Sequence, residues 1–208
     1  DHRDLHSFPT RRSSDLGELI ADYIKNNPGV DKNGDGRIQY VILEGEMGHQ
    51  DAIVRTESVT ESMKNNGLQI EKLSCQIANW NRAQAQNRMT QLIGQYKNSI
   101  ELVIANNDAM ALGAIDAYEK LGVTESNVPA FFGVDGTDDG LEAVQQSKLA
   151  ATVYNDKEGQ ARAMAQLAYL AATGGSMKNI KFEDKKYVYL PYEKVTPDNV
   201  NEFVKDEQ

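Results

Sequence analysis

Short apolar runs alternate along this chain with longer segments in which apolar residues recur at helical spacing. The short runs predict strands at 38–45, 69–77, 100–106, 128–136 and 149–155. Segments with helical periodicity follow them at 50–66, 81–96, 108–121, 138–147 and 157–173. Strict alternation of strand and helix predicts an α/β fold, with a doubly wound parallel sheet and helices on both faces.

The last part of the chain departs from this alternation. TGGSMKN at 173–179 is rich in turn residues, 185–195 has an extended pattern, and a short terminal helix is expected from Thr196 onward. Proline cannot donate a hydrogen bond to a sheet ladder, so Pro191 limits the extended segment. We expect an edge strand or a crossing between domains at this place.

Composition narrows the class of protein. The chain has 208 residues, 40% of them apolar, which is enough for at least one packed core. A net charge of -9 opposes nonspecific attraction to nucleic acid or anionic lipid, so no nucleic-acid partner is expected. The single cysteine, Cys75, lies in an apolar run and is interpreted as an unreactive strand thiol. No apolar run reaches the 18 residues that a membrane span needs.

The first sixteen residues differ from the rest of the chain. They hold two of the three histidines and have neither a helical nor a strand pattern. HSFPTRRSSDL, His6 to Leu16, resembles an in-frame translation of a widely used sequencing adapter. We therefore expect residues 1–16 to be a non-native tail, in which case the lack of a visible signal peptide carries no information about location.

Polar side chains follow each predicted strand. GHQDAIVR follows the first strand, NW the second, NND the third, DG the fourth and ND the fifth. The carboxyl ends of parallel strands meet at one edge of a sheet, where ligands bind. Amides, carboxylates, a guanidinium and an indole are groups that hydrogen-bond to a sugar or stack on it.

Residues 31–39, DKNGDGRIQ, have the spacing of a calcium loop. Oxygen side chains stand at Asp31, Asn33, Asp35 and Gln39, and a glycine occupies the sixth position. In an EF-hand the twelfth position is a glutamate, but here it is an isoleucine, so another carboxylate must close the shell. Glu101 is one candidate among many acids. The alternative is an ordinary turn rich in Asp, Asn and Gly.

Six motifs occur in order over almost all of 17–208: DKNGDGRIQ, EGEMGHQDAIVR, the tryptophan of IANWNRAQA, VIANNDAMALGAIDA, FFGVDG and ATVYND. Together they resemble the carboxyl-terminal lobe of the calcium-containing galactose/glucose-binding proteins, which have the type I periplasmic binding protein fold and serve ABC sugar importers. The calcium loop, GHQDAIVR and Trp80 are the selective part, because the other motifs are shared with ribose-binding proteins and repressor effector domains.

The resemblance implies a set of functional residues. The calcium ligands would be the side chains of Asp31, Asn33, Asp35, Gln39 and Glu101 and the backbone carbonyl of Arg37. The sugar ligands would be His49, Asp51, Arg55, Trp80, Asn107, Asp135 and Asn155.

Each sugar assignment has a plainer alternative in the sequence. His49 could be a packing histidine, Trp80 a core residue, Arg55 a solvated helix charge and Asp51 a charge at a helix amino terminus. Asp108 and Asp156 are left out of the site because each is expected to cap the helix that follows it.

The resemblance also implies the domain organisation. Residues 17–155 would form the sugar-binding lobe with the calcium loop, 156–191 a remnant of the amino-terminal lobe and a hinge crossing, and 192–208 a segment returning to the carboxyl-terminal lobe. Most of the amino-terminal lobe would be absent, and the apolar faces of helix 157–173 and strand 186–190 are expected to be partly exposed.

The function implied is that of a monomeric solute receptor, which binds D-glucose or D-galactose without transforming it. Its partners would be the membrane permease of an ABC importer and, in some bacteria, a chemotaxis receptor. It would be periplasmic, or extracellular and lipid-anchored.

Several other functions are weighed against this one. An enzyme is disfavoured because the sequence has no dinucleotide fingerprint, Walker loop or nucleophile elbow, and nothing places Asp51 and Asp135 at the separation of glycosidase carboxylates. The effector domain of a sugar-responsive transcription regulator, a receptor for another monosaccharide such as a pentose, and a calcium-dependent structural module remain alternatives.

Overall fold

The structure is a computed structural model that describes residues 10–183, 187, 188, 190 and 192–204, with side chains from Leu16 onward. The elements alternate along the chain: α1 Thr10–Asn26, β1 Ile38–Glu44, α2 Gln50–Asn65, β2 Ile70–Ile77, α3 Arg82–Tyr96, β3 Leu102–Ala105, α4 Asp108–Leu121, β4 Ala130–Phe132, α5 Asp138–Gln145, β5 Thr152–Asn155, α6 Lys157–Thr173 and β6 Tyr192–Val195. Short 3₁₀ turns lie at Pro28–Val30, Lys97–Ser99, Glu125–Asn127 and Val200–Glu202.

Four strands form a parallel sheet in the order β2-β1-β3-β4. β5 is joined to the end of β4 only by two isolated parallel bridges, Phe132 to Ala151 and Asp135 to Tyr154. The expected α/β fold is confirmed, but the fourth strand is shorter than the predicted 128–136. The reason lies just beyond its end, where Asp135 has a φ of 114° and Gly136 a φ of 63°, so the chain leaves extended geometry.

Buried side chains form a core on each face of the sheet. Along β1, Val41 and Leu43 face α3 and α4, whereas Tyr40 and Ile42 pack on the other face with apolar residues of α1 and α2. This alternation follows from the two-residue period of a strand. Because both faces are covered, the sheet meets solvent at its strand ends and along the edge strand β2, where Glu71 and Lys72 are exposed.

Helix α1 was not among the predicted helices, and the expectation that residues 10–16 are not helical is wrong. Leu16, Leu19 and Ile20 are buried in the core shared with α2, at the three- and four-residue spacing of a helix face. The helix therefore begins within the segment interpreted as a tail. Residues 1–9 lie outside the described part of the chain, and an adapter origin of 1–16 stays a prediction.

The carboxyl-terminal segment contains an edge strand, as predicted, since β6 pairs antiparallel with β5. Lys194 on β6 also donates a 2.6 Å hydrogen bond to Glu18 on α1. The helix expected from Thr196 onward is only the 3₁₀ turn Val200–Glu202. Part of the predicted strand 186–190, and Pro191, lie outside the described residues.

Helix α6 has no buried residue. Met164 and Tyr169 are 70% and 68% exposed, so the expected exposure of apolar side chains on this helix is confirmed. Within the described residues, none of the helices combines the length and the apolar character needed to span a bilayer.

Candidate functional site

Polar residues at the carboxyl edge of the sheet are held in place by the helix amino termini that begin there. His49 caps α2, and its Nδ1 accepts a hydrogen bond from the Asp51 backbone N–H at 3.2 Å. Asn107 caps α4 by accepting from the Met110 N–H at 3.0 Å. The position of Asn107 follows from the strong preference of asparagine for the N-cap, a preference that histidine does not share.

Trp80 lies in the turn between β2 and α3. Asn79 and Trp80 both have positive φ, 51° and 60°, an uncommon conformation for residues other than glycine. The indole rests directly on Gly45 at the end of β1, where a Cβ would be 2.2 Å from the ring. The His49 ring meets the indole edge-on, with centroids 5.2 Å apart. Gly45 is thus a site residue that the sequence analysis missed, although it ends a predicted strand.

Arg55 and Asp135 form an ion pair beside this indole. Arg55 Nη1 lies 3.2 Å from Asp135 Oδ1 and donates a 2.6 Å hydrogen bond to the Asn106 carbonyl. The Arg55 guanidinium carbon lies 5.7 Å from the Trp80 ring centroid, within the range of a cation–π contact. Burial raises the pKa of Asp135 above its ordinary value, Arg55 opposes that rise, and the nearby Asp51 carboxylate adds to it.

Two asparagines complete the predicted set. Asn107 Nδ2 donates to the Trp80 carbonyl at 3.4 Å. The Asn155 N–H donates to the Asp135 carbonyl at 3.0 Å, and the Asn155 side-chain oxygen accepts a hydrogen bond from Gln160. A third asparagine, Asn106, was not predicted; it is 1% exposed and its Oδ1 accepts from the Gly45 N–H at 3.0 Å.

The structure therefore brings the seven predicted sugar ligands together. Contacts or electrostatic interactions link them in one cluster: His49, Asp51, Arg55, Trp80, Asn107, Asp135 and Asn155. The cluster combines one flat aromatic surface with donors and acceptors at its margin. Of the plainer alternatives, Asp51 does lie in the first turn of α2, whereas the Arg55 side chain is only 13% exposed and is not a solvated helix charge.

Asp108 and Asp156 behave differently from each other. Asp156 caps α6 by accepting from the Gly159 N–H at 2.9 Å, which confirms that expectation. Asp108 is not a cap; Asn107 has that role, and Asp108 is the first residue of α4 itself. Its carboxylate is 0% exposed and accepts from Thr152 and Thr137. The prediction that Asp108 caps α4 was wrong because asparagine and aspartate both suit an N-cap. Of the adjacent Asn107 and Asp108, the backbone places Asn107 at the cap position.

The predicted calcium residues converge at the amino edge of the sheet. Asp35 Oδ2 accepts from Asn33 Nδ2 at 3.2 Å and from Gln39 Nε2 at 2.8 Å, and Asn33 Nδ2 also lies 2.9 Å from Gln39 Oε1. Three predicted ligand side chains thus meet at one point. Rotation of either amide by 180° exchanges its nitrogen for its oxygen, so these side chains fit a hard cation at that point.

Asp31 and Glu101 support the same loop. Asp31 accepts from the Gly34 and Gly36 N–H groups at 2.7 and 2.9 Å. Glu101, which is 1% exposed, accepts from the Lys32 N–H at 2.6 Å and from the Gln39 N–H at 2.9 Å. Glu101 is therefore the acid that reaches the loop from elsewhere in the sequence.

A metal cluster is not evident from acidic, histidine or cysteine side chains alone. No three of these groups within the described residues are placed to hold an ion. The predicted shell contains three carboxylates, Asp31, Asp35 and Glu101, which are not gathered around one point in the described residues, so calcium binding stays a prediction.

Cys75 lies on β2 and is half-buried, as expected for a strand thiol. Burial and the neighbouring Glu44 carboxylate together raise its pKa to about 11. The thiolate fraction at neutral pH is consequently small, and this cysteine is a poor nucleophile.

Known proteins resemble this chain over most of its length. A family model described as a periplasmic binding protein domain matches residues 12–176. The D-galactose/methyl-galactoside binding periplasmic protein MglB of Haemophilus influenzae is 41% identical over 192 residues, which are 91% of this chain and 57% of that protein. A putative rhizopine-binding protein of Rhizobium meliloti is 32% identical over 170 residues, covering 81% of this chain and 52% of that one.

One solved structure shows the same arrangement of elements. An ABC transporter solute binding protein from Bacillus halodurans C-125, with bound myo-inositol, superposes with a TM-score of 0.76 at 30% identity, over 93% of this chain and 60% of that one. The chain spans little more than half the length of these relatives.

Proposed function

Because this chain belongs to the family of periplasmic binding proteins, we propose that it is the carboxyl-terminal, sugar-binding lobe of a receptor for D-galactose or D-glucose. The observation that supports this most strongly is the Trp80 indole flanked by the Arg55–Asp135 ion pair. A pyranose has an apolar C–H face and a ring of hydroxyls. An aromatic plate beside paired charged groups suits both parts of such a ligand.

The chemistry is binding without reaction. Trp80 would take one face of the sugar, while six polar residues would hold its hydroxyls: His49, Asp51, Arg55, Asn107, Asp135 and Asn155. Asp135 is engaged by Arg55 at 3.2 Å, which suits an acceptor held in place and not a free general base. The relatives are likewise named as binding proteins.

A receptor for another monosaccharide or polyol is the second candidate. Relatives are named as rhizopine-, xylitol- and ribose-binding proteins, and solved neighbours hold myo-inositol or D-allose. The donors and acceptors of the described cluster would suit adjacent hydroxyls in general, and all these ligands carry adjacent hydroxyls. Hexose specificity rests on the higher identity to the galactoside-binding relative, 41% against 33% for a ribose-binding one.

We also propose that the loop at 31–39 binds calcium, with Asp31, Asn33, Asp35, Gln39, Glu101 and the Arg37 carbonyl as ligands. A bound cation would neutralise the three carboxylates and fix the loop that leads into β1. Its role would be structural, since the loop lies at the amino edge of the sheet and Trp80 at the carboxyl edge.

The whole receptor would deliver its sugar to the permease of an ABC importer and act as a monomer in the periplasm, or outside the cell on a lipid anchor. A chemotaxis receptor would be a further partner. These proposals concern the full-length protein, of which the relatives suggest that this chain is a little over half.

Titration of the chain with D-galactose, D-glucose, D-ribose and myo-inositol tests the proposal, with the fluorescence of Trp80 as the readout because it is the only tryptophan. D-Galactose or D-glucose should give a saturable change at lower concentration than the other two. Binding should be weak, since a single lobe encloses only one side of a ligand.

Two variants make this titration specific. Trp80→Phe should weaken binding measured by NMR, whereas Tyr169→Phe, on the exposed α6, should leave it unchanged. A saturable response to D-ribose or myo-inositol alone would favour the second candidate, and no response to any of the four would refute the sugar site.

A further inference from the structure

Asp108 has a buried carboxylate that is not among the proposed sugar contacts. It is 0% exposed; its Oδ1 accepts from Thr152 Oγ1 on β5 at 2.6 Å, and its Oδ2 accepts from the Thr137 N–H at 2.8 Å and from Thr137 Oγ1 at 3.3 Å. A buried carboxylate is costly unless donors surround it. The three donors from Thr137 and Thr152 offset this cost, and the carboxylate caps neither α4 nor α5, since Asn107 caps α4 and Thr137 caps α5.

Two glycines shape the space around this carboxylate. A Cβ on Gly133, just after β4, would lie 2.3 Å from Asp108 Oδ1, and a Cβ on Gly140, in the first turn of α5, would lie 2.3 Å from Oδ2. The backbone therefore packs directly on both oxygens. No side chain larger than hydrogen fits at either position without moving Asp108.

Asp108 holds both ends of one short turn. Its backbone N–H donates to the Val134 carbonyl at 2.8 Å, while its carboxylate accepts from the Thr137 N–H. Asp135 and Gly136 lie between these two anchoring points. At Asp135 the φ of 114° is a conformation that costs a residue other than glycine about 1–3 kcal/mol, so the surroundings must maintain it.

We propose that Asp108 is a positioning residue: by holding Val134 and Thr137, it fixes the strained turn that presents the Asp135 carboxylate to Arg55 and to the sugar. This inference rests on the proposed function only in its last step, because the turn and the Arg55 contact exist without a ligand. It predicts that loss of the Asp108 carboxylate increases local opening of the backbone at Asp135 more than it increases opening in the rest of the sheet.

Three variants test this. Asp108→Ala removes the hydrogen bonds that Thr137 and Thr152 donate to the carboxylate, and keeps the one from the Asp108 backbone N–H to the Val134 carbonyl. Asp108→Asn retains the shape, since the amide oxygen can accept from Thr137 and the amide nitrogen can donate to Thr152. Met89→Ala, in the core between α3 and the sheet, destabilises the fold without touching the turn and is the matched control.

The readouts are amide hydrogen exchange of Asp135 and Asn155, and the affinity for D-galactose. The Asp135 N–H donates to the Val153 carbonyl at 2.9 Å and is expected to be protected. In Asp108→Ala, exchange at both amides should accelerate at least about tenfold beyond that at the β3 amides, and galactose affinity should fall by about tenfold or more. Asp108→Asn should restore both, and Met89→Ala should lower the Tm while leaving affinity and the exchange pattern unchanged.

The outcomes separate this inference from the proposed function. If Asp108→Ala lowers the Tm but its Asp135 amide exchanges no faster than the β3 amides, Asp108 only stabilises the fold and the proposal is wrong. If the unmodified chain binds no sugar, the proposed function fails, and the exchange experiment alone still decides whether Asp108 positions Asp135.

Discussion

Arg55 Nη1 lies 3.2 Å from Asp135 Oδ1, which joins the first turns of α2 to the turn after β4. The same nitrogen donates to the Asn106 carbonyl at 2.6 Å, and the guanidinium carbon is 5.7 Å from the Trp80 ring centroid. The guanidinium is thus held by three groups before any ligand binds. A site fixed in this way loses little conformational entropy when a ligand arrives.

Replacement of Arg55 by lysine should weaken sugar binding. A lysine ammonium cannot contact Asp135, the Asn106 carbonyl and the indole face together, because it lacks the planar fork of donors. We expect a loss of about tenfold or more in galactose affinity, measured by NMR titration. Arg162→Lys, on the exposed α6 where Arg162 pairs with Glu158, is the matched control. Equal affinity for both variants would contradict the role of Arg55.

A methyl group at position 45 should displace the indole. The Cβ of Gly45→Ala would lie 2.2 Å from the Trp80 ring, whereas a Cβ on Gly94, in α3, meets no atom within 4 Å. Gly45→Ala should therefore cost about 1–3 kcal/mol of stability and shift the tryptophan fluorescence, while Gly94→Ala should stabilise the helix by about 1 kcal/mol. Urea unfolding and emission spectra measure these effects. An unchanged spectrum in Gly45→Ala would show that the indole does not rest on this glycine.

Calcium should raise the Tm of the chain, and a chelator should remove the gain. A ligand that binds only the folded state stabilises it by about 2.7 kcal/mol at a concentration one hundred times its Kd. Asp35→Asn should reduce the gain because Asp35 lies where Asn33 and Gln39 meet. Asp22→Asn, on the solvent side of α1, should retain it. Identical melting curves with calcium and with chelator would exclude a calcium site in the chain.

Stability should depend on pH through Asp108. Burial raises the pKa of Asp108 from 3.8 to about 7, and the nearby Asp135 carboxylate contributes to the rise. Between these values the folded state binds a proton that the unfolded state has lost, so the free energy of unfolding falls as pH increases. The fall should approach about 4 kcal/mol from pH 4 to about pH 8 and then level off.

Urea unfolding of the unmodified chain and of Asp108→Asn, at several pH values, isolates this effect. The asparagine cannot titrate, so the difference in stability between the two proteins should change over that interval and be constant above it. A difference that is the same at every pH would show that Asp108 has an ordinary pKa.

The fold class was predictable because the apolar runs are separated by helices of clear periodicity. β1 and β2 lie within one residue of their predicted limits, and five of the seven residues of β1 are apolar. α1 was missed because its residues up to Leu16 were interpreted as a tail, which separated Leu16 from Leu19 and Ile20 on the same helix face. The end of β4 was misplaced because nothing in FFGVDG reveals that Asp135 has a positive φ.

The sequence predicted which side chains meet at the carboxyl edge of the sheet, but not the residues that support them. Side chains after parallel strands must lie at one edge of the sheet, and Trp80, Arg55 and Asp135 meet there. Gly45 and Asp108 were not predicted as site residues. Each acts through a neighbour that is distant in sequence, Trp80 for Gly45 and Thr137 and Thr152 for Asp108, and no spacing rule links such pairs.

The pairing of β6 with β5 has a consequence for the order of folding. Until residues 192–195 are synthesised, β5 has an open edge, and the hydrogen bond from Lys194 to Glu18 joins residues 176 positions apart. Contacts between such distant segments form slowly because a long loop must close first. A nascent chain therefore cannot pair the outer edge of β5 until residues 192–195 have left the ribosome, whereas the four-stranded sheet β2-β1-β3-β4 needs no residue beyond Phe132.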